Sequence, residues 1–279
     1  MAIDLATQYL PYVDEQFTTE SKMALISNRD FDFTGANTVK VYKINTAQLN
    51  NYDRDGEGKY GFSRYGKIEN LGGSTEEFII NNDKSFTFAI DRLDEDETKR
   101  NLQAASALAR QIREVVIPHS EHSAIAKILA GAGTKAEALK LTKENIYDEI
   151  LKANSVLDEA NVPTYGRVLL VNAKTYMLLK QNKDFLMSTD IAQDMKIKGV
   201  IAMVDGLTVV RLSESVCPDN FGFALVHPSA IVFVQKLESY RIHENPPGIS
   251  GALVEGRIVF DTFILDNKKT AIYSQVVQI

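Results

Sequence analysis

DEDETKRNLQAASALARQIREVVIPHSEHSAIAKILA, residues 94–130, decides how the rest of the chain is read. It opens on four acids, Asp94, Glu95, Asp96 and Glu97, which suit the positive end of a helix dipole, and Thr98–Ala109 holds strong helix formers without Gly or Pro. Leu102, Ala105, Ala109, Ile112 and Val116 recur at steps of three and four residues, which predicts one apolar stripe along one side of a helix. Pro118 has no amide proton and its ring collides with the preceding turn, so a helix that crosses it must kink or restart. Ser120–Leu129 again has helical composition, and Gly131 and Gly133 stop it. Run straight, the stretch would span roughly 55 Å. A compact globule of this chain length has a radius of gyration of about 19 Å. The spacing therefore predicts a spine for a flat, extended molecule, shortened to a longest rod of about 36 Å if the helix breaks at Pro118.

Around that spine the composition is that of a protein able to bury a core. The chain has 279 residues, 44 % of them hydrophobic, which suggests about two domains. A net charge of −6 argues against holding nucleic acid through a general basic surface, while leaving room for a local basic patch. Cys217 is the single cysteine, so no intrachain disulfide and no cysteine-based metal cluster is expected, which fits a reducing cytoplasm, and Cys217 reads as a small buried apolar side chain. MAIDLATQYLPYVDEQF lacks a basic n-region and a long apolar core, and eighteen apolar residues never run together. A soluble protein without a secretion signal is expected.

Residues 1–38 are mostly polar, with apolar anchors at Leu5, Tyr9, Val13 and Phe17 and a break at Pro11. They read as an arm with no core of its own. From Thr38, β-branched and aromatic residues alternate with lysine through Ile44, which predicts a strand. Asn50–Gly73 has the Gly, Asp, Asn, Tyr and Arg content of a long exposed loop. Glu76–Ile80 and Ser85–Ile90 alternate on either side of Asn81, Asn82, Asp83 and Lys84, which predicts a hairpin. A two-stranded ribbon with a long polar excursion buries too little apolar area to stand alone in water, and neither does the arm. Two such extensions point to neighbouring copies as the missing surface, with folding back on their own subunit as the alternative.

Beyond the spine, Thr142 can cap a helix that runs to about Ala160 with Ile146, Ile150, Ala153 and Leu157 on one face, ended by Asn161, Val162 and Pro163. Arg167–Val171 reads as a short buried strand and Ala173–Lys180 as a short helix. Val200–Val204 and Leu207–Leu212 read as a hairpin turning at Asp205 and Gly206. This alternation makes a mixed α/β region within an α+β chain. Phe223–Val226 and Ile231–Gln235 are further strands. A loop through Asn245, Pro246, Pro247 and Gly248 leads to a last hairpin, Ala252–Leu265 and Ala271–Val277, turning at Asp266–Lys269.

The candidate chemistry is thin. Gly56, Gly58 and Gly61 spell G-x-G-x-x-G, but a dinucleotide fingerprint needs a strand before it and a helix after it, and Lys59–Lys67 has no helical pattern; a flexible loop is the expected reading. Tyr60, Gly61, Phe62 and Tyr65, interleaved with Lys59, Arg64 and Lys67, are similar to the aromatic octapeptide of RNA-recognition sheets. That module needs a helix between Ile44 and Tyr60, where none fits. A loop that docks its rings and cations on a protein neighbour is expected instead. His119 and His122 share a helix face without the H-E-x-x-H spacing or a carboxylate to complete a metal site. No G-x-S-x-G and no marked acid pair is present. The sequence offers no catalytic constellation, no cofactor site and no metal site.

Three stretches, REVVIPHSEHSAIAKIL at 113–129, ILKANSVLDEANVPTYGRVLLVNAKTYMLLK at 150–180, and HPSAIVFVQKLESYRI at 227–242 with GRIVFDTFILDNKKTAIY at 256–273, together with the order of elements, resemble the major capsid proteins of tailed bacteriophages. The resemblance implies an α+β chain with the capsid fold shared with encapsulins. On it, residues 1–38 are an N-terminal arm and 39–93 an extended E-loop hairpin. Residues 94–134 are the spine helix of a peripheral domain that 251–279 close, and 135–250 are an axial domain.

The same resemblance implies a structural protein, not an enzyme: a virion subunit that assembles with itself into hexamers and pentamers of an icosahedral head around double-stranded DNA. That DNA would be bound without sequence specificity, and assembly would take place in the host cytoplasm with no membrane. A portal and a separate scaffolding protein are the implied partners, the latter because the arm is short. An encapsulin-like compartment is the alternative. The residues expected to serve assembly are Gly56, Gly58, Lys59, Tyr60, Gly61, Phe62, Arg64 and Tyr65 in the loop, with the glycines allowing it to change angle, and Pro118 at the spine's bend. Some family members crosslink loop lysines to a neighbour's asparagine. Lys59 and Lys67 lie in that region, but no motif fixes a partner and no crosslink is expected.

Overall fold

The computed structural model describes residues 21–28, 38–56, 63–93, 104–182 and 203–278. The chain divides into two compact units, Phe33–Ile80 and the remainder.

The smaller unit is a ribbon. Strands β1 (Thr38–Ile44) and β2 (Gly73–Ile79) pair antiparallel, Thr38 opposite Ile79 and Ile44 opposite Gly73. Two further backbone hydrogen bonds, Asn45 N–H to Gly72 O at 3.0 Å and Asp53 N–H to Arg64 O at 2.8 Å, continue the same register. What composition marks as a loop is thus a hairpin extension whose sixteen residues from Thr38 to Asp53 reach at most about 50 Å. Here the structure corrects the expected pairing of Glu76–Ile80 with Ser85–Ile90. The partner of β2 is β1, and the partner of β3 (Asn82–Asp91) is β10 (Gly251–Ile264), Asn82 opposite Phe260 and Asp91 opposite Gly251. The Asn81–Lys84 turn signal is real in composition, yet ten residues of long-range ladder outweigh it.

The larger unit has two sheets. One is three-stranded, in the order β3, β10, β9 (Ile231–Glu244), all antiparallel, with a bulge where the register shifts beside Val259 and Phe260. The spine lies on it. The spine is α2 (Ala104–Gln111), a five-residue π-helical segment (Ile112–Val116) and α3 (Ile117–Ala130); the expected start at residues 94–103 lies outside the described residues. Its buried stripe is Leu108, Ile112, Val116 and Ile117, packed on Tyr240, Val254, Ile258 and Phe260. Leu102 lies outside the described residues, and Ala105 and Ala109, expected at the centre of the stripe, are only half-buried. The larger side chain one position away, Leu108, takes the core because it removes more apolar area from water.

The second sheet is mixed and six-stranded, in the order β4 (Thr134–Leu139), β11 (Ile272–Val277), β8 (Phe221–Val226), β5 (Val168–Val171), β7 (Leu207–Arg211), β6 (Met203–Val204). Both β5 and β8 are buried at every residue, as continuous apolar runs covered on two faces should be. Helix α4 (Ile146–Glu159) lays Ile146, Ile150, Ala153 and Leu157 into this core, the face its spacing predicts. The helix begins later than the expected Thr142. Its N-cap position is Asn145, and Thr142 sits in the preceding turn, its amide donating to Asn145 Oδ1 at 2.7 Å. Helix α5 (Ala173–Gln181) is capped by Asn172, whose side chain accepts from Thr175 N–H at 2.7 Å. Asp205 and Gly206, both at positive φ, turn β6 into β7 as expected.

The expected closing hairpin does not form. β10 and β11 are joined by a 3₁₀ turn (Asp266–Ala271) and belong to different sheets, β11 lying between β4 and β8. Each strand alternates well enough for a hairpin, but β10 pairs with β3 and β9, and β11 with β4 and β8.

Candidate assembly elements

Of the loop residues expected to serve assembly, Gly58, Lys59, Tyr60, Gly61 and Phe62 lie outside the described residues. Gly56, Arg64 and Tyr65 lie near the far end of the ribbon. Gly56 takes a positive φ of 71° and its N–H donates to Asp53 Oδ1 at 2.8 Å; a Cβ there would stand 3.0 Å from the Arg64 guanidinium. Gly56 is thus required by a close turn, beyond any freedom it gives the loop. Tyr65 is 81 % exposed and its ring meets the edge of Tyr52, ring centroids 5.1 Å apart.

The stem carries more apolar surface than the sequence reading assigned to it. Tyr42, Ile44, Leu49, Ile68, Leu71 and Ile79 are all exposed. With Tyr52 and Tyr65 they make eight of the sixteen large apolar side chains exposed among the described residues, on a minor part of the chain. Tyr42 and Ile44 stand on one face of β1 with Lys40, whose amine pairs with Glu77 across the ladder at 2.5 Å. The signal was present as the alternation at Thr38–Ile44, but alternation does not say which face meets solvent.

Pro118 is half-buried in the first turn of α3. The helix does not restart there: the backbone stays helical through Pro118, with α geometry resuming at Ile117 after the π-helical segment. The wider turn that precedes it has Ile117 N–H donating to Ile112 O, five residues back. A π-turn shifts the hydrogen-bond frame by one residue and relieves the place where a proline ring meets the previous turn. His119 and His122 are both exposed, and no group of three metal-ligating side chains occurs among the described residues.

One part of the expected arm is not free. Residues 21–28 dock on the larger unit: Met23 and Ile26 of the short helix α1 (Met23–Ile26) are fully buried in the core of the six-stranded sheet. Lys22 N–H donates to Glu121 Oε1 at 2.7 Å, Lys22 Nζ donates to Arg211 O at 2.6 Å, and Asn28 N–H donates to Ile231 O at 2.7 Å. For residues 21–28 this is the alternative, folding back on the same subunit, and not the expected docking on a neighbouring copy; residues 1–20 and 29–37 lie outside the described residues. Two apolar anchors three residues apart form too weak a pattern to be seen in sequence. Burial pushes the Glu121 carboxyl up, against the Lys22 amide and charge, which pull it down.

Two charged knots stiffen the larger unit. Arg167, 1 % exposed, donates to Pro163 O at 2.9 Å, Val162 O at 2.6 Å, and Asn154 Oδ1 at 2.5 Å, and pairs with Asp158 Oδ1 at 2.7 Å. The second is Asp261, fully buried on β10 and paired with Lys127 of α3.

Among solved structures, one from Mycobacterium phage Che8 is similar over 92 % of this chain and 91 % of its own, at 20 % identity and a TM-score of 0.71. The capsid structure of cyanophage P-SCSP1u matches over 91 % of this chain and 86 % of its own, at 12 % identity and a TM-score of 0.66. The chain has the phage capsid fold. A virus-like particle from Pyrococcus furiosus shares this capsid fold with it at a TM-score of 0.61 and 14 % identity, over 98 % of this chain and 100 % of that one. No family model and no curated protein matches the sequence. Within this capsid fold no helix among the described residues is long and apolar enough to cross a membrane.

Proposed function

We propose that the chain is a major capsid protein: a virion subunit, without catalytic turnover, that assembles with its own copies into hexamers and pentamers of an icosahedral phage head around double-stranded DNA. The observation that carries this reading is the likeness to a phage capsid along about nine tenths of both chains. The ribbon supports it independently. Burying a large apolar side chain contributes about 1.5–3 kcal/mol, so the eight exposed on the ribbon leave a large favourable term unused in a single copy.

In this reading residues 1–38 are the arm, its last part anchored at Met23–Ile26, and 39–93 are the E-loop. Residues 94–134 with 251–279 are peripheral, and 135–250 axial. Two facts refine that division: β3 runs in the sheet of the spine, and β11 runs in the six-stranded sheet. The ribbon and its glycine-bearing tip reach over adjacent copies, and Pro118 sets the bend of the spine. Assembly takes place in the host cytoplasm with a separate scaffolding protein and a portal, and the acidic chain (net −6) confines DNA without reading its sequence.

The near-complete mutual coverage with the Pyrococcus furiosus virus-like particle favours an encapsulin-like shell as the second reading. Electron microscopy of the purified protein tests both. Rings or closed shells are expected, and a chain that stays monomeric at every concentration, with and without crowding agents, sinks the proposal. Nuclease-protected DNA inside shells selects the phage head; a co-purifying enzyme without DNA selects the compartment. Closed shells from this chain expressed alone would remove the separate scaffold.

A further inference from the structure

The partners of β3 along β10 obey one register from Asn82 opposite Phe260 to Asp91 opposite Gly251. Past its C-terminal end the backbone keeps that register, Arg92 N–H donating to Ser250 O at 3.0 Å. Past its N-terminal end Asn81 stands opposite Asp261 at a position without ladder hydrogen bonds, the next bonded pair being Ile80 and Thr262, and the Asp261 side chain takes the free donors on both sides: its Oδ2 accepts Asn81 N–H at 3.0 Å. The other oxygen, Oδ1, accepts Thr262 N–H at 2.7 Å, Asn82 Nδ2 at 3.4 Å and the Lys127 amine of α3. Asn81 is the first residue after the ribbon unit ends at Ile80.

We propose that Asp261 is a strand terminator: it ends the β3–β10 ladder at Asn82 and, locked by Lys127, ties the start of β3 to the spine helix. The chemistry singles out an aspartate. Donors meet both of its oxygens, so an asparagine must turn its amide group toward one of them, and a glutamate is one methylene too long for a site with no exposed surface. A carboxylate this buried is costly unless paired and fully hydrogen-bonded, and Lys127 supplies the charge. β10 itself continues past the stop, pairing Asp261 with Val234 of β9, so the acid halts one neighbour of β10 and not the other.

Amide hydrogen exchange on the full chain, compared between wild type, Lys127→Met and Asp261→Asn, tests the proposal without requiring shells. Exchange at Asn81–Asp83 should accelerate about tenfold or more in both variants, while Arg92, at the other end of the same strand, stays unchanged. Equal acceleration at both ends, or none at Asn81–Asp83, overturns it. Should Asp261→Asn fail to fold, Lys127→Met, altered at a half-exposed side chain, carries the same comparison. A wild type that forms no shells counts against the capsid reading alone, because the exchange contrast is measured on the unassembled chain.

Discussion

Lys22 and Glu121 lie ninety-nine residues apart, and the backbone N–H of one donates to the side chain of the other at 2.7 Å. The bond fastens the short α1 segment to the spine helix at a carboxyl that burial has raised above its ordinary range. A carboxyl with a raised folded pKa binds its proton more tightly in the folded state, so the stability it contributes is complete below the unfolded value near 4.5 and is lost as pH rises through the folded pKa. Glu121→Gln keeps an acceptor for Lys22 N–H and removes the charge. The variant should melt a few degrees higher than wild type at pH 7, with the gap closing toward pH 4. A constant gap across that range, in melting curves followed by circular dichroism, would show that Glu121 does not titrate as its burial requires.

Arg167 joins the end of α4 and the turn after it to the start of β5, meeting four carbonyl or carboxamide oxygens and the Asp158 carboxylate from a buried position. Replacing it by Met preserves length but leaves those oxygens without donors. Each orphaned buried acceptor costs about 1–3 kcal/mol. Arg167→Met should therefore lower stability by about 3 kcal/mol or more, read from urea unfolding midpoints. Arg167→Lys should recover only part of the loss, because an ammonium lacks the planar fork that reaches several acceptors at once. Full recovery by Lys would mean that charge alone matters there.

Elements whose signal is local were legible in the sequence, and those set by distant pairing were not. The buried face of α4 and the Asp205–Gly206 turn follow from spacing and backbone chemistry within a few residues. The partners of β2, β3, β10 and β11 do not. Alternation tells that a strand has two faces but not which of several strands it will meet, and both expected hairpins failed for that reason. Gly133 shows the same limit at one residue. It reads as a helix stop, yet its N–H donates to Lys269 O at 2.9 Å and a Cβ would stand 2.5 Å from that oxygen, so the glycine serves a chain crossing 136 residues away. Asp261 carries no local pattern at all.

The exposed face of β1 separates folding from assembly. Tyr42 and Ile44 are 64 % and 66 % exposed, so replacing both by Ser removes little that stabilises one copy. If neighbouring copies cover the ribbon, the same change removes about 1.5–3 kcal/mol for each side chain at every contact. Tyr42→Ser with Ile44→Ser should leave the melting temperature of the unassembled chain within a degree or two of wild type, while shell yield, measured by sedimentation, falls sharply. Equal yields would mean that this face stays in solvent in the assembled particle.

Pro118 offers the sharpest test of the spine. The π-helical Ile112–Val116 segment sits directly before it, and Ile117 N–H reaches back five residues to Ile112 O. Pro118→Ala restores a donor and removes the ring, so the reason for the wide turn disappears and the helix can wind through in α geometry. Losing the π-turn removes a one-residue offset between α2 and α3, which carries the stripes facing the two cores. Leu108 and Ile112 would rotate against Val254 and Ile258 if α3 stays seated, and the strain is relieved by bending the spine. The variant should fold with near wild-type helix content but give shells of altered diameter or lower yield by electron microscopy. Particles of unchanged size and number would place the bend of the spine elsewhere.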